Sequence, residues 1–510
     1  MIALTHAELP ILTTLPLAFQ WESTYTSLPE RFYQWQEPTP VAVPKVFYWN
    51  ALLAKTLGLC DVAEPLSEAF EQDIAFWLGG NVTLTGTRPF AQAYAGHQFA
   101  HFTMLGDGRA IVLGEHCAPN AERVDVQLKG AGPTPYSRRG DGRAALGPML
   151  REVIISEAMA GLGIPTTRSL AVVATGEPVY RETPLPGAVL TRISASHLRV
   201  GTLQYAAVFG DDADIQALVS YTIARHYPHL IEAENPALAL LAAVMDRQIT
   251  LMVHWMRVGF VHGVMNTDNM TLSGETIDYG PCAFMNAYNP NTVFSSIDRD
   301  GRYAFGNQPN IAQWNLARLA EALLPVIDAN AEAAIEHAKA VLNTFPERFQ
   351  AAYRSMMAHK LGFAGATDEN WALIRDWLTL LQQGHIDYTN AFLALEEVLT
   401  GTSLGLDATT QTFMTQPETQ AWLARWQAEI PKETTAIEAV ALMQLTNPVV
   451  IPRNHTVEEV LAEAVDTKSS DGLDAYLAVL QRPYDRGLHN QNHRQPPLDG
   501  DLNYKTFCGT

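Results

Sequence analysis

The residues with the clearest chemical potential lie in two neighbouring stretches, His262-Gly263-Val264-Met265-Asn266-Thr267-Asp268-Asn269 and Ile277-Asp278-Tyr279-Gly280. Asn269 stands seven residues after His262, and Asp278 nine after Asn269. An amide oxygen and a carboxylate are hard donors of the kind that hold Mg²⁺ beside nucleotide phosphates. Asp268, adjacent to the amide donor, has the chemistry to take a proton from an attacking hydroxyl. An Asp-Asn pair on its own reads as a turn. The surrounding frame of His, Asn and Asp-Tyr-Gly is what favours a site.

Protein kinases place a loop of the form H-R-D-x-x-x-x-N ahead of D-F-G. His262 and Asn269 keep that spacing, and Asp278-Tyr279-Gly280 stands in for D-F-G, but Val264 occupies the position of the catalytic Asp. Valine neither accepts a proton nor binds a metal. Two readings stay open: the site is chemically dead, or another carboxylate, with Asp268 the nearest, serves a reaction of different geometry. Two further features fit a nucleotide site. Gly106-Asp107-Gly108-Arg109 precedes a strand, where paired glycines let backbone N–H groups approach phosphate oxygens and the Arg adds a charged fork; the same run also suits a plain turn. Lys129, one of only eight lysines, ends the strand Val124–Lys129, and Glu152 or Glu157 on the following helix could hold it toward phosphates; a snorkelling surface lysine is the bland alternative. No G-x-x-x-x-G-K-[ST] run occurs, which excludes a P-loop.

Charge narrows the partners. With 34 basic and 54 acidic side chains in 510 residues, the formal charge is −20, a poor match for a bulk nucleic-acid binder. Arg123 to Arg199 reverses the sign, with ten basic residues against six acidic ones, and so offers a local place for a small polyanion. Cys60, Cys117, Cys282 and Cys508 form no C-x-x-C pair, which predicts a reducing, cytoplasmic setting. No basic residue precedes Arg31, and the apolar run Ala237–Met245 is short, so neither a leader nor a membrane span is predicted.

The elements that must position these residues divide by period. Residues 103–193 alternate in short β-like runs (109–113, 124–129, 169–173, 179–181, 188–193) around one helix from about Pro148 to Gly161. Beyond about 205, helical patterns dominate (213–226, 236–257, 311–325, 331–343, and more between 367 and 481), interrupted by the Gly-, Asn- and Asp-rich stretch 259–288. This predicts an α+β chain: an extension over 1–85, a β-rich nucleotide-binding lobe over 86–200, a helical lobe carrying the catalytic and metal loops over 201–400, and a helical extension over 401–510. Prolines predict an extended arm over 1–45, and composition predicts a polar, mobile tail from 484.

Several long stretches, Y-A-G-H-Q-F (94–99), L-G-D-G-R-A (105–110), Q-L-K-G-A-G-P-T-P-Y-S-R (127–138), D-G-R-A-A-L (141–146), R-I-S-A-S (192–196), His262 to Asn269 and D-Y-G-P-C (278–282), resemble the selenoprotein O family of protein adenylyltransferases. The resemblance covers most of the chain. It implies a protein-kinase-like, two-lobed fold, pseudokinase in its motif, that moves AMP from ATP to Ser, Thr or Tyr hydroxyls of proteins, with the enzyme itself among the acceptors. It implies ATP contacts at Gly106, Gly108, Arg109, Lys129, Asp141, Gly142, Arg192, Arg199 and Asp278, an ion pair of Glu152 with Lys129, Mg²⁺ or Mn²⁺ on Asn269 and Asp278, and Asp268 as proton acceptor. A nucleotide reversed relative to kinases, α-phosphate toward the acceptor, would explain Val264. The family's C-terminal selenocysteine implies a redox pairing of Cys508 with Cys282. The competing functions are transfer of the γ-phosphate and ATP binding without turnover.

Overall fold

The computed structural model describes residues 17–60, 66–83, 85–433, 435–498, 500–501 and 504–507. Among them run strands β1 (Trp21–Glu22), β2 (Tyr33–Trp35), β3 (Lys45–Trp49), β4 (Phe90–Gln92), β5 (Ala95–Gln98), β6 (His101–Met104), β7 (Ala110–Cys117), β8 (Arg123–Lys129), β9 (Ala144–Ala145), β10 (Arg168–Tyr180), β11 (Pro184–Ser194), β12 (Phe260–Val261) and β13 (Ala283–Phe284). The helices that matter for the site are α1 (Ala51–Thr56), α2 (Glu68–Leu78), α3 (Leu146–Gly161), α4 (Val200–Phe209), α5 (Asp212–His226), α6 (Pro236–Val258) and α7 (Gln308–Ile327). Two compact units result. The first comprises 1–93, 105–149 and 168–197; the second comprises 94–104, 150–167 and 198–510.

The first unit is built on one antiparallel sheet in the order β2-β4-β7-β8-β11-β10-β3, with β1 added to β7 and β9 to β11. Strand β8 shows why it holds. Val126 and Leu128 face a core shared with Ile74, Trp77 and Leu78 of α2 and with Leu53 of α1. The alternate residues Asp125, Gln127 and Lys129 are nevertheless buried as well, so this sheet face carries polar groups that need partners. The arm expected over 1–45 lies outside the described residues as far as residue 16; the stretch from 21 to 49 contributes β1, β2 and β3 to the sheet, with 3₁₀ turns at Thr24–Ser27 and Glu30–Phe32 between β1 and β2. The two runs predicted at 169–173 and 179–181 form the single strand β10, whose register against β11 shifts between Ala174 and Pro178.

The second unit is helical. α6 is its central helix, capped at the start by Asn235, whose side chain accepts from the Leu238 N–H, and ended by Gly259 in the left-handed region. By length and composition α6 could cross a bilayer, and half of its most apolar window is buried inside the unit. The helix runs longer than the apolar stretch Ala237–Met245 because Asp246 and Arg247 interrupt that stretch without ending the helix. Helix α4 also went unpredicted. The polar tail is the larger correction, because its described part is anchored. Arg494 is 1% exposed and donates to the carbonyls of Leu404 (2.5 Å) and Gly487 (2.6 Å), and Arg453 donates to the Arg494 carbonyl at 2.8 Å. Thr506 donates through its hydroxyl to the Pro281 carbonyl at 2.7 Å. Polar composition signals solvation only when those groups lack partners inside the fold.

One histidine makes the first unit sensitive to acid. His116 on β7 is 1% exposed; its Nδ1 accepts from the Gln20 N–H at 3.0 Å, so Nε2 carries the proton and donates to the Leu57 carbonyl at 2.8 Å. Burial holds its pKa below the usual 6.5. Protonation at Nδ1 would break the Gln20 bond, so the fold favours neutral imidazole. This contribution is fully present above the unfolded pKa and is lost as pH falls toward the folded one. Stability measured by denaturant titration at pH 7.5 and 5.5 is expected to drop more in the wild type than in His116→Gln, and equal drops would contradict the assignment.

Candidate active site

The loop that carries Asp268 starts from a fixed base. The last carbonyls of α6 are held by Lys360, whose Nζ donates to the Arg257 carbonyl at 2.9 Å, and by the Tyr388 hydroxyl, which donates to the Met256 carbonyl at 3.1 Å. After Gly259, β12 pairs with β13, Phe260 opposite Phe284 and Val261 opposite Ala283, so the two predicted loops share one short ladder. His262 is fully buried. Its backbone N–H donates to Gln308 Oε1 at 3.0 Å, and its Nε2 lies 3.0 Å from the Ile277 carbonyl, immediately before Asp278. Gly263 sits at φ +84, where an added Cβ would strike the Pro281 carbonyl. The histidine therefore ties one loop to the other.

Asp268 follows Val264 and Thr267 in a short 3₁₀ turn, Thr267–Asn269. It is 8% exposed, and burial pushes its pKa up to about 6; Arg199 opposes that shift and Asp278 adds to it. Its Oδ1 is buried without a hydrogen-bond partner among the described residues. Asn269 donates its amide Nδ2 to the Val264 carbonyl at 3.1 Å, which turns the amide oxygen to the opposite side. Asp278 has φ +67, a conformation that costs a non-glycine residue energy and persists where the surroundings impose it. Its charge acts on Asp268, His262 and Cys282. Arg199, at the start of α4, bridges to Thr271 through the backbone and stacks over the Tyr94 ring at 4.2 Å. A carboxylate and an amide oxygen with an adjacent buried base suit a hard divalent cation that completes its shell with phosphates and water. Among the described residues no cluster of three His, Cys, Asp or Glu side chains offers a protein-only metal cage.

In the first unit, the glycine-rich loops pack closely. Gly106, at φ +111, lies against the Tyr136 ring, and Gly108 against the Tyr136 carbonyl and Ser137. Asp107 points inward instead, its Oδ2 accepting from the Gln92 N–H at 3.1 Å, which stiffens the loop carrying Arg109. Gly142, at φ +66, comes so close to the Gly132 backbone that no side chain fits. Asp141 accepts from the two terminal nitrogens of Arg181 at 2.8 and 3.2 Å, and that pairing lowers its pKa. On the polar sheet face, Arg192 stands opposite Gln127 in register and donates to its Oε1 at 3.3 Å, while Lys129, 4% exposed, pairs in register with Ala110 and Leu190.

The chain matches the family described as "Protein adenylyltransferase SelO" over residues 16–481. It belongs to that family. Relatives called "Protein nucleotidyltransferase YdiU" from Syntrophotalea carbinolica (51% identical; 98% of this chain, 99% of the relative), Geobacillus kaustophilus (52%; 96% and 99%) and Halalkalibacterium halodurans (50%; 98% and 99%) align end to end with it. A match to a solved structure of ROP2 from Toxoplasma gondii, described as having a protein-kinase fold and no enzymatic activity, covers 68% of this chain and 87% of that one at 12% identity, with a TM-score of 0.22. As a SelO-family member the protein is an adenylyltransferase that uses a nucleotide and modifies proteins. Its α+β fold is kinase-like in the order of its parts: a strand ending in Lys129, a helix bearing Glu152, a long helix, then the His262–Asn269 loop and Asp278-Tyr279-Gly280.

The expected site residues thus fall into two sets. Asp268, Asn269, Asp278 and Arg199 gather in the second unit, where Glu152 also lies and acts electrostatically on Tyr279 and Cys282. Gly106, Gly108, Arg109, Lys129, Asp141, Gly142 and Arg192 belong to the first. Cys282 is buried, its carbonyl accepts from Arg151 at 2.7 Å, and Cys508 lies outside the described residues. Residue-level reading missed Asn266, Thr267, Tyr303 and Gly96, which build the wall around Asp268; the stretch Y-A-G-H-Q-F was visible, but its role was not.

Burial pushes the Cys282 thiol up to about 12. Since the thiolate is the reactive form, iodoacetamide at pH 8 is expected to leave Cys282 unlabelled in the folded enzyme and to label it after denaturation. Peptide mass mapping that finds equal labelling in both states would contradict this.

Proposed function

We propose that this enzyme transfers AMP from ATP to the hydroxyls of Ser, Thr or Tyr on acceptor proteins, with itself as one acceptor. In the reaction the acceptor oxygen bonds to the α-phosphorus, the bond from that phosphorus to the bridging oxygen breaks, and pyrophosphate leaves. The hydroxyl proton goes to the Asp268 carboxylate. The observation that carries this reading is the combination of an aliphatic Val264 with a buried Asp268 beside Asn269 and Asp278. A base of raised pKa in a water-poor setting suits proton removal near neutral pH.

Asn269 and Asp278 would hold Mg²⁺ or Mn²⁺, whose role when bound is to screen and orient the phosphates. Arg199 would meet nucleotide phosphate from the same unit. The first unit's Lys129, Arg192 and Arg109, with the N–H groups around Gly106, Gly108 and Gly142, have the chemistry to hold phosphate, and Asp141 is positioned by Arg181. Cationic groups of this kind stabilise charge as pyrophosphate departs. The reading has the enzyme work in the cytoplasm, without nucleic acid as partner, in keeping with its −20 charge.

Mg²⁺ with ATP labelled at the α or the γ phosphorus separates three readings. Acceptor protein carries the α-label and no γ-label; γ-label on protein would indicate a kinase, and absence of both a nucleotide-binding scaffold. Asn269→Ala and Asp278→Ala weaken metal-dependent nucleotide binding by about 10-fold or more, the scale expected for losing a metal ligand or its support. The pH profile of kcat/KM rises through about pH 6 and levels above 7, because Asp268 accepts a proton only when ionised and its pKa lies at about 6. A profile flat from pH 5 to 8 would remove Asp268 from the role of base.

A further inference from the structure

The hairpin of β5 and β6 is the least explained piece of the second unit. Ala95 pairs with Met104 and Gln98 with His101, and the turn between them places Phe99 at φ +47 and Ala100 at φ +68, two consecutive left-handed residues without a glycine. Such a turn persists only where its surroundings hold it. Here the catalytic loop holds it. The Phe99 N–H donates to Asn266 Oδ1 at 3.1 Å, and the same oxygen accepts from the Tyr303 hydroxyl at 2.7 Å. The His97 N–H donates to Thr267 Oγ1 at 2.7 Å. These hooks fall on the two residues directly before Asp268.

Immediately before His97, the backbone at Gly96 passes directly over the carboxylate. A Cβ placed on Gly96 would lie 2.5 Å from Asp268 Oδ1 and 3.0 Å from its Cβ, closer than real atoms approach. On the other side, Gly201 of α4 abuts the Ala95 carbonyl, with the Asp268 Cα 3.5 Å from where its own Cβ would stand. Two glycines from different elements therefore shape the space around one side chain. Gly96 has no positive φ, so conformational freedom does not account for it; only the close approach does.

We infer that Gly96, with the Thr267 hydroxyl that anchors its strand, is a positioning residue for the transfer step: the bare backbone of β5 sets where the Asp268 carboxylate stands. The inference rests on Asp268 acting as the proton acceptor. It assigns no contact with nucleotide or acceptor to Gly96 itself. A displacement of about 1 Å in a reacting group can cost about 100-fold in rate, so the added methyl acts on turnover and leaves nucleotide affinity alone.

The test compares Gly96→Ala, Thr267→Val and Thr267→Ser with the wild type and with Asp268→Ala in the full-length enzyme, reading kcat, KM for ATP, affinity for a non-hydrolysable ATP analogue and thermal midpoint. Gly96→Ala is expected to lower kcat about 10- to 100-fold with unchanged analogue affinity and KM. Thr267→Val behaves likewise, and Thr267→Ser, which keeps the hydroxyl, restores the rate to within about 3-fold of wild type. Gly365→Ala serves as control, since a methyl there meets nothing within 4 Å. In the Asp268→Ala background, Gly96→Ala adds no further loss, because the carboxylate it would displace is gone. Full activity of Gly96→Ala beside an inactive Asp268→Ala overturns the positioning role and leaves the proton acceptor standing. Full activity of Asp268→Ala overturns both. Should Gly96→Ala fail to fold, the Thr267 pair decides alone: equal rates for Val and Ser overturn the inference.

Discussion

A carboxylate kept from water constrains the rest of the second unit. Moving Asp268 from solvent to its site raises its pKa from 3.8 to about 6, which corresponds to on the order of 3 kcal/mol disfavouring the ionised form at neutral pH. Because the folded pKa lies above the unfolded one, that penalty is absent in acid and grows as pH rises through the folded value. Other contacts offset it: Thr267 and Asn266 are anchored by backbone donors from another strand, and His262 locks the loop to the segment bearing Asp278. A more relaxed arrangement would admit water to the carboxylate and return it to an ordinary acid. The protein therefore holds an unfavourable group rigidly, as expected where preorganisation serves chemistry.

The same view explains why the aliphatic Val264 does not imply a dead enzyme. His262, Val264 and Asn269 keep the frame of a kinase loop as structure: the histidine bonds to the Ile277 carbonyl, and the Val264 carbonyl orients the Asn269 amide. The frame survives because it positions two loops, while the proton-accepting role can shift four residues along the chain to Asp268. In the first unit, the polar face of the sheet follows an equivalent logic. Gln127 and Arg192 satisfy each other in register, and glycines at 106, 132 and 142 let loops approach where side chains could not.

Much of this was legible in the sequence, for identifiable reasons. Strand β8 alternates cleanly, α3 begins near Pro148 and stops at Gly161, and the Gly-rich interruption after α6 marks the site. The failures share one cause, contact between residues distant in sequence. The tail from 484 looked solvated because nothing local shows that Arg494 is satisfied by Leu404 and Gly487. Helix α4 carries apolar residues without clear period, since every residue from Val200 to Ala206 is buried. Gly96 carries no turn signal at all, and its reason, the carboxylate 172 positions later in the sequence, exists only in the fold.

The central claim is that this loop presents the innermost phosphorus of its nucleotide to attack. A crystal structure of the enzyme with Mg²⁺ and a non-hydrolysable ATP analogue tests it most directly. The α-phosphorus is expected to be the phosphorus nearest the Asp268 carboxylate, with the β and γ phosphates directed away from it. An analogue bound with its γ-phosphorus nearest Asp268 and its α-phosphate remote would contradict it.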